Sequence, residues 1–111
     1  MPACPKPEPR VLAKARQKRE AERAWRDVCR QVKARDGGKC RVCGKRGTDP
    51  HHIIRRGVGP DTTDNVLWVC RQCHEWQRVH LIRITGNADL EVRVWYDARV
   101  SPTGKEQTVW R

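Results

Sequence analysis

Residues 40–80 read CRVCGKRGTDPHHIIRRGVGPDTTDNVLWVCRQCHEWQRVH and hold four of the six cysteines and all four histidines of the 111-residue chain. The cysteines fall in two Cys-x-x-Cys pairs, Cys40 with Cys43 and Cys70 with Cys73. Two such pairs separated by a loop supply four thiolates, enough to close a tetrahedral structural zinc site. His51, His52 and Asn65 stand between the pairs, and His74 directly follows the last cysteine. Four sulfurs complete one zinc, so the histidines are either a second site or spare ligands beside the first.

Local patterning places these residues on short elements. Cys40 to Gly44 forms a knuckle whose glycine lets the backbone turn tightly towards the metal. Thr48 to Ile54 reads as a strand carrying both histidines, and alternation along a strand points His51 and His52 to opposite faces. Two neighbouring histidines are thus expected to take different roles. A loop containing Gly57, Gly59 and Pro60 leads to a second strand, Asn65 to Val69. The second knuckle then feeds a short helix expected to begin near Cys73 and to carry His74.

Cys40-x-x-Cys43, the HHII run at His51–Ile54, Asn65 within DNVLWVC, and Cys70-x-x-Cys73-His74 together resemble the HNH (His-Asn-His) endonucleases. These are the ββα-metal, or His-Me finger, nucleases, and the likeness is to their zinc-knuckle subgroup of phage and bacterial type. The resemblance covers about the middle third of the chain. It implies two strands and a helix meeting at a metal. It further implies that His51 and His74 hold a catalytic divalent ion, and that His52 is the general base towards the attacking water. Asn65 would orient that base, while Arg55 and Arg56 are candidates for phosphate contacts. The implied reaction is hydrolysis leaving a 5′ phosphate and a 3′ hydroxyl. One position departs from the family's usual pattern, since many members carry an acidic residue where His51 stands. Imidazole there shifts preference from Mg²⁺ towards Mn²⁺, Ni²⁺, Co²⁺ or Zn²⁺.

Outward from this stretch, the chain carries 24 Lys and Arg against 13 Asp and Glu, a formal net charge of +11. That excess favours a polyanionic partner, nucleic acid being the commonest case, and with the resemblance the expected partner is double-stranded DNA. Hydrophobic residues make up only 37% and Phe is absent, so the core is thin and a metal staple is in keeping. Upstream, a helix is expected from about Pro9 to Arg35, free of internal Gly and Pro and stopped by Gly37-Gly38. Ala21, Trp25, Val28 and Val32 form its apolar stripe, so the second half packs on the core and the first half projects. The projecting half either tracks a phosphate backbone or is a solvated arm with internal ion pairs such as Arg16–Glu20. Cys29 is read as a small core or boundary residue, and His80 as a surface residue or phosphate contact.

Downstream, LIRIT and LEVRVWY alternate, with Leu90, Val92, Val94 and Tyr96 expected on one face and a turn at Gly86-Asn87. Ser101–Gly104 signals another turn, and QTVWR a last strand. Trp95 and Trp110 are read as packing residues first and base-stacking residues second. The expected fold is α+β: a small zinc-stabilised ββα-metal domain with a long N-terminal helix and a C-terminal β-hairpin extension. Its expected divisions are a disordered proline-rich 1–9, a basic helix 10–36, a nuclease core 37–80 and a β extension 81–111. Cys4, in the proline-rich stretch, is read as incidental. No apolar run reaches membrane-spanning length, Met1 to Pro9 lacks the apolar region of a secretory signal, and paired cysteines beside histidines suit a reducing, cytoplasmic compartment. Two readings follow from different classes: a metal-dependent DNA endonuclease, and a non-catalytic zinc-knuckle DNA-binding module. The set His51, His52, Asn65 and His74 favours the first, because a pure binder has no need of it.

Overall fold

The computed structural model describes residues 6–100 and the backbone of residues 107–110. Expectations for residues 1–5, for the turn at 101–104 and for the Trp110 side chain lie outside the described residues. Helix α1 spans Arg10–Arg35. Pro9 stands just before it, and the Pro9 carbonyl accepts the Ala13 N–H at 2.9 Å. At the other end, Gly37 (φ 66°) and Gly38 (φ 70°) turn left-handed, and their N–H groups reach the carbonyls of Ala34 and Lys33. A side chain at these two positions would strain the backbone, which is why glycine ends the helix here. Val32 is fully buried and Trp25 and Val28 are half-buried, but Ala21 is exposed. The packed face therefore begins one turn later than the sequence stripe indicated. Ahead of Trp25 the helix stands almost entirely in solvent, and Arg16 pairs with both Glu8 (3.1 Å) and Glu20 (3.2 Å). The projecting arm gives the molecule a longest dimension of 76 Å against 25 and 20 Å across.

Asp36 fastens the base of this arm. Its buried carboxylate accepts hydrogen bonds from Arg35 (2.9 and 3.0 Å), from Arg41 (2.9 Å) and from the Trp68 backbone N–H (2.9 Å). Both guanidiniums are themselves over nine-tenths buried. Arg35 continues to the carbonyls of Thr63 (2.6 Å) and Val66 (2.8 Å), and Arg41 to that of Ala88 (2.8 Å). Helix end, first knuckle and second strand are thus joined through one carboxylate. Breaking such a buried set by removing one partner typically costs about 3–5 kcal/mol.

Strands β1 (Asp49–His52) and β2 (Val66–Val69) pair antiparallel, His51 opposite Leu67 and His52 opposite Val66. Thr48 and Ile53 extend the ladder through bonds to Val69 and Asn65, so the expected strand is trimmed only at its ends. A short 3₁₀ turn, Thr63–Asn65, leads into β2. Helix α2 spans Arg71–Arg78, starting two residues before the expected Cys73. The reason is local: Cys70 caps the helix, its sulfur accepting the Cys73 N–H at 3.4 Å.

Strands β3 (Ile82–Gly86), β4 (Glu91–Tyr96) and β5 (Gln107–Trp110) form a second antiparallel sheet in that order, one strand more than a simple hairpin. Ile82, Ile84, Val92 and Val94 face inward as alternation requires, but Leu90 is 69% exposed. Leu90 lies before β4, in a turn where its N–H bonds the Asn87 carbonyl, and Ala88 fills the core position instead. One apolar cluster joins both sheets and includes Cys40, Cys70 and Cys73 alongside Leu67, Val69 and Ile82. Three of the four knuckle cysteines are therefore part of the core, Cys43 being exposed, and fully burying an aliphatic side chain around them contributes about 1.5–3 kcal/mol each. Among the described residues no helix is long and apolar enough to cross a membrane.

Candidate active site

The four sulfurs of Cys40, Cys43, Cys70 and Cys73 lie within 4.8 Å of one another. Cys43 Sγ and Cys70 Sγ are 3.6 Å apart, close to the ~3.8 Å that tetrahedral Zn–S bonds of ~2.3 Å require. The backbone N–H of Cys43 points to Cys40 Sγ (3.5 Å), matching the Cys73-to-Cys70 bond of the second knuckle. Left to themselves the sulfurs ionise unequally. A hydrogen bond from Cys73 holds the Cys40 thiol down at about 4, while Cys73 is pushed up by that same bond and by burial, and Cys43 is pushed up chiefly by burial. A divalent cation removes this conflict by stabilising all four as thiolates. The four-sulfur donor set and its spacing fit a structural zinc, with Cys40, Cys70 and Cys73 buried and Cys43 at the surface. Cys29 stands apart, half-buried on α1, and burial raises its thiol; it is a boundary residue.

About the β1 strand the histidines separate. His51 is buried, and its ring meets that of His74 edge to face with centroids 5.4 Å apart. His51 Nε2 is buried with no hydrogen-bond partner among the described residues. Burial, followed by the nearby His74 and His52, lowers the His51 pKa to about 4. The ring is therefore neutral, and able to act as a ligand, through neutral and mildly acidic pH. His74 Nδ1 bonds Asp49 Oδ2 at 3.1 Å, leaving Nε2 to face a ligand, the arrangement in which a carboxylate fixes a metal-binding imidazole. Asp49 also takes Arg71 at 3.0 Å. Burial pushes its carboxyl up, but the bonds from His74, Arg71 and Thr48 outweigh this and hold it below its ordinary value. The sequence reading missed Asp49. Its signal is the D-x-H spacing on a strand, which sets Asp49 and His51 on one face.

His52 occupies different surroundings. Its ring stacks on Trp25 of α1 (centroids 5.0 Å, planes 11° apart), and its Nε2 lies 2.7 Å from Asp61 Oδ1. Arg56 lies over the other member of that stack, its guanidinium carbon 5.4 Å from the Trp25 centroid. Neither Trp25 nor Asp61 stands out in the sequence as a site residue, since each comes from a segment outside the strands. The Asn65 amide makes its hydrogen bonds to backbone groups and not to the His52 ring. Its amide oxygen accepts the Ile54 N–H (2.8 Å), and its nitrogen donates to the carbonyls of Ile54 and Pro60 (both 2.9 Å). Asn65 thereby ties off the loop that follows the histidines. Gly59 lies under this clamp, where an added Cβ would sit 2.6 Å from Ile54 Cβ and 2.8 Å from Asn65 Nδ2.

An open cleft of about 490 Å³ collects these groups, with Trp25, His51, His52 and His74 in its walls and Arg55, Arg56 and Arg78 also lining it. Arg55 and Arg56 are exposed. His80 lies outside it, past the end of α2. Residues 40–77, from the first knuckle to the penultimate residue of α2, match the model of the HNH endonuclease family. No curated protein and no solved structure matches the chain.

Proposed function

We propose that this protein is a metal-dependent endonuclease that hydrolyses phosphodiester bonds of double-stranded DNA in the cleft between β1, α1 and α2. The observation that carries the reading is the division of labour within the HH pair. His51 faces His74 with an unpartnered buried nitrogen, while His52 is held apart by Trp25 and Asp61. His51 and His74 would hold a divalent ion, which supplies Lewis-acid stabilisation of phosphoryl and leaving-group oxygens. His52 accepts the proton of the attacking water. A proton held at Nε2 by the Asp61 carboxylate leaves Nδ1 as the accepting nitrogen, and the Trp25 stack fixes the ring plane. Arg55 and Arg56 draw the phosphate backbone to the cleft. Zinc-loaded protein incubated with supercoiled plasmid and Mg²⁺, Mn²⁺, Ni²⁺, Co²⁺ or Zn²⁺ should give nicked or linear DNA with at least one of them, and none with chelator. Binding without cleavage under every metal would make it a zinc-knuckle binding module instead.

The arm extends the same reading. Residues 1–20 carry six Lys and Arg against two Glu, and from Arg10 to Glu20 the α1 residues lie almost wholly in solvent. Deleting residues 1–20 should weaken binding on all DNA sequences alike. The slope of log affinity against log salt should also flatten, by about 0.9 for each phosphate that the arm had neutralised. An unchanged slope would make the arm a solvated projection with no part in binding.

A further inference from the structure

A second groove adjoins the cleft at α2. Gln77, on the last turn of that helix, lines both the active-site cleft and this groove, of about 350 Å³, against the β3–β4 sheet. This groove also takes in His80, Arg83, Trp95 and Asp97. Arg83 and Trp95 are direct cross-strand partners, and both belong to the outward face, since Ile82, Ile84 and Val94 take the core side. The Arg83 guanidinium carbon lies 5.7 Å from the Trp95 ring centroid, and the tryptophan is 39% exposed. His80 adopts a left-handed backbone (φ 62°), uncommon for a residue with a side chain, at the bend that joins α2 to the sheet. The acidic member of the groove, Asp97, is paired with Arg99 at 2.9 Å.

We infer that the Arg83–Trp95 pair is a base-stacking subsite for an unpaired nucleotide where a single-stranded stretch continues from the duplex held in the neighbouring cleft. A large aromatic ring presented outward beside a guanidinium offers a nucleobase a stacking surface and its phosphate a cation. Bases inside a duplex are already stacked and cannot reach such a ring, so the occupant is an unpaired nucleotide. Gln77, shared by the two linings, makes the subsite a neighbour of the cleft that holds the histidines. The basic residues on both sides, Arg78 in the first cleft and Arg83 in the second, suit a backbone that passes between them.

This subsite rests on the nuclease reading only for its meaning, because its test does not need cleavage. Full-length, zinc-loaded protein carrying His52→Ala is titrated by fluorescence anisotropy with a 16-nucleotide single strand and with the corresponding duplex. Adding Trp95→Ala should weaken single-strand binding by about 5- to 100-fold, the range that base–aromatic stacking gives. Duplex binding should change less than about 2-fold, and Trp95→Phe should restore most of the single-strand affinity. Equal losses on both substrates, with an unchanged melting curve, would overturn the inference by making the effect one of general charge or shape. Unchanged single-strand affinity would overturn it too and leave Trp95 as a packing residue. A plasmid assay with the otherwise unaltered chain reports separately on the nuclease reading, so either can fail alone.

Discussion

Cys70→Ser is expected to leave a chain that does not fold. Cys70 is a member of the sulfur cluster, caps α2 through its own sulfur, and sits within the shared apolar core. Binding of a structural zinc is worth about 10–16 kcal/mol in small domains, as much as the whole stability of a typical fold, about 5–15 kcal/mol. With so few fully buried aliphatic side chains, the rest of the core has little reserve. Purified wild-type protein should hold one tightly bound zinc per chain by elemental analysis. The serine variant should aggregate or show no cooperative thermal transition by circular dichroism. Cys29→Ser is the control, outside the cluster and half-buried, and should retain both zinc and transition. Metal-stripped wild type that melts cooperatively at an unchanged temperature would sink the assignment.

The second large effect separates the adjacent histidines. Neither serves the sulfur cluster, so His51→Ala and His52→Ala should both keep zinc and fold. His51→Ala removes the ring that faces His74 and should abolish binding of the second metal, with cleavage falling for that reason. His52→Ala should bind Mn²⁺ or Ni²⁺ and DNA as before, yet cleave about 10²–10⁴-fold more slowly, the usual worth of a general base. Added imidazole should recover part of that rate. Calorimetric metal titration of both variants beside single-turnover cleavage distinguishes the roles. Loss of metal in His52→Ala with retention in His51→Ala would reverse them, and unaltered cleavage in both would remove the histidines from catalysis.

The elements that could be read in the sequence are those fixed by short-range rules. The two knuckles follow from Cys-x-x-Cys spacing, α1 from an uninterrupted run of helix formers closed by Gly37-Gly38, and the inward faces of β3 and β4 from alternation. What escapes such rules depends on residues brought together across long separations. The buried pairing of Asp36 with Arg41 and Trp68 leaves no local mark, because an Asp after a helix and an Arg in a basic knuckle look like ordinary surface residues. Trp25 looks like a core residue of an amphipathic stripe, and only the docking angle of α1 turns its ring onto His52. Leu90 breaks the pattern because alternation counts side chains and cannot see where a turn ends; Ala88 takes the inward place. In the site, residue types announce the histidines, whereas the carboxylates Asp49 and Asp61 that hold two of them are visible only in space.

The Asn65 clamp bears on how the chain reaches this state. Contacts around it are nested: Asn65 closes on Pro60 at a separation of five residues and on Ile54 at eleven, β1 and β2 pair outside these, and the knuckles meet at a separation of 27. Closing 27 residues in one step carries an entropy cost of about 3 kcal/mol from the logarithmic term alone. Closing the small ring first and zipping outward divides that cost into increments, each offset by hydrogen bonds or strand pairing as it forms. The kinetically favoured order therefore runs from the loop through the histidine strands to the sulfurs. On that route the hairpin would draw the sulfurs together before the ion binds, and the folding rate is expected to follow hairpin formation rather than a search between two distant halves of a metal site.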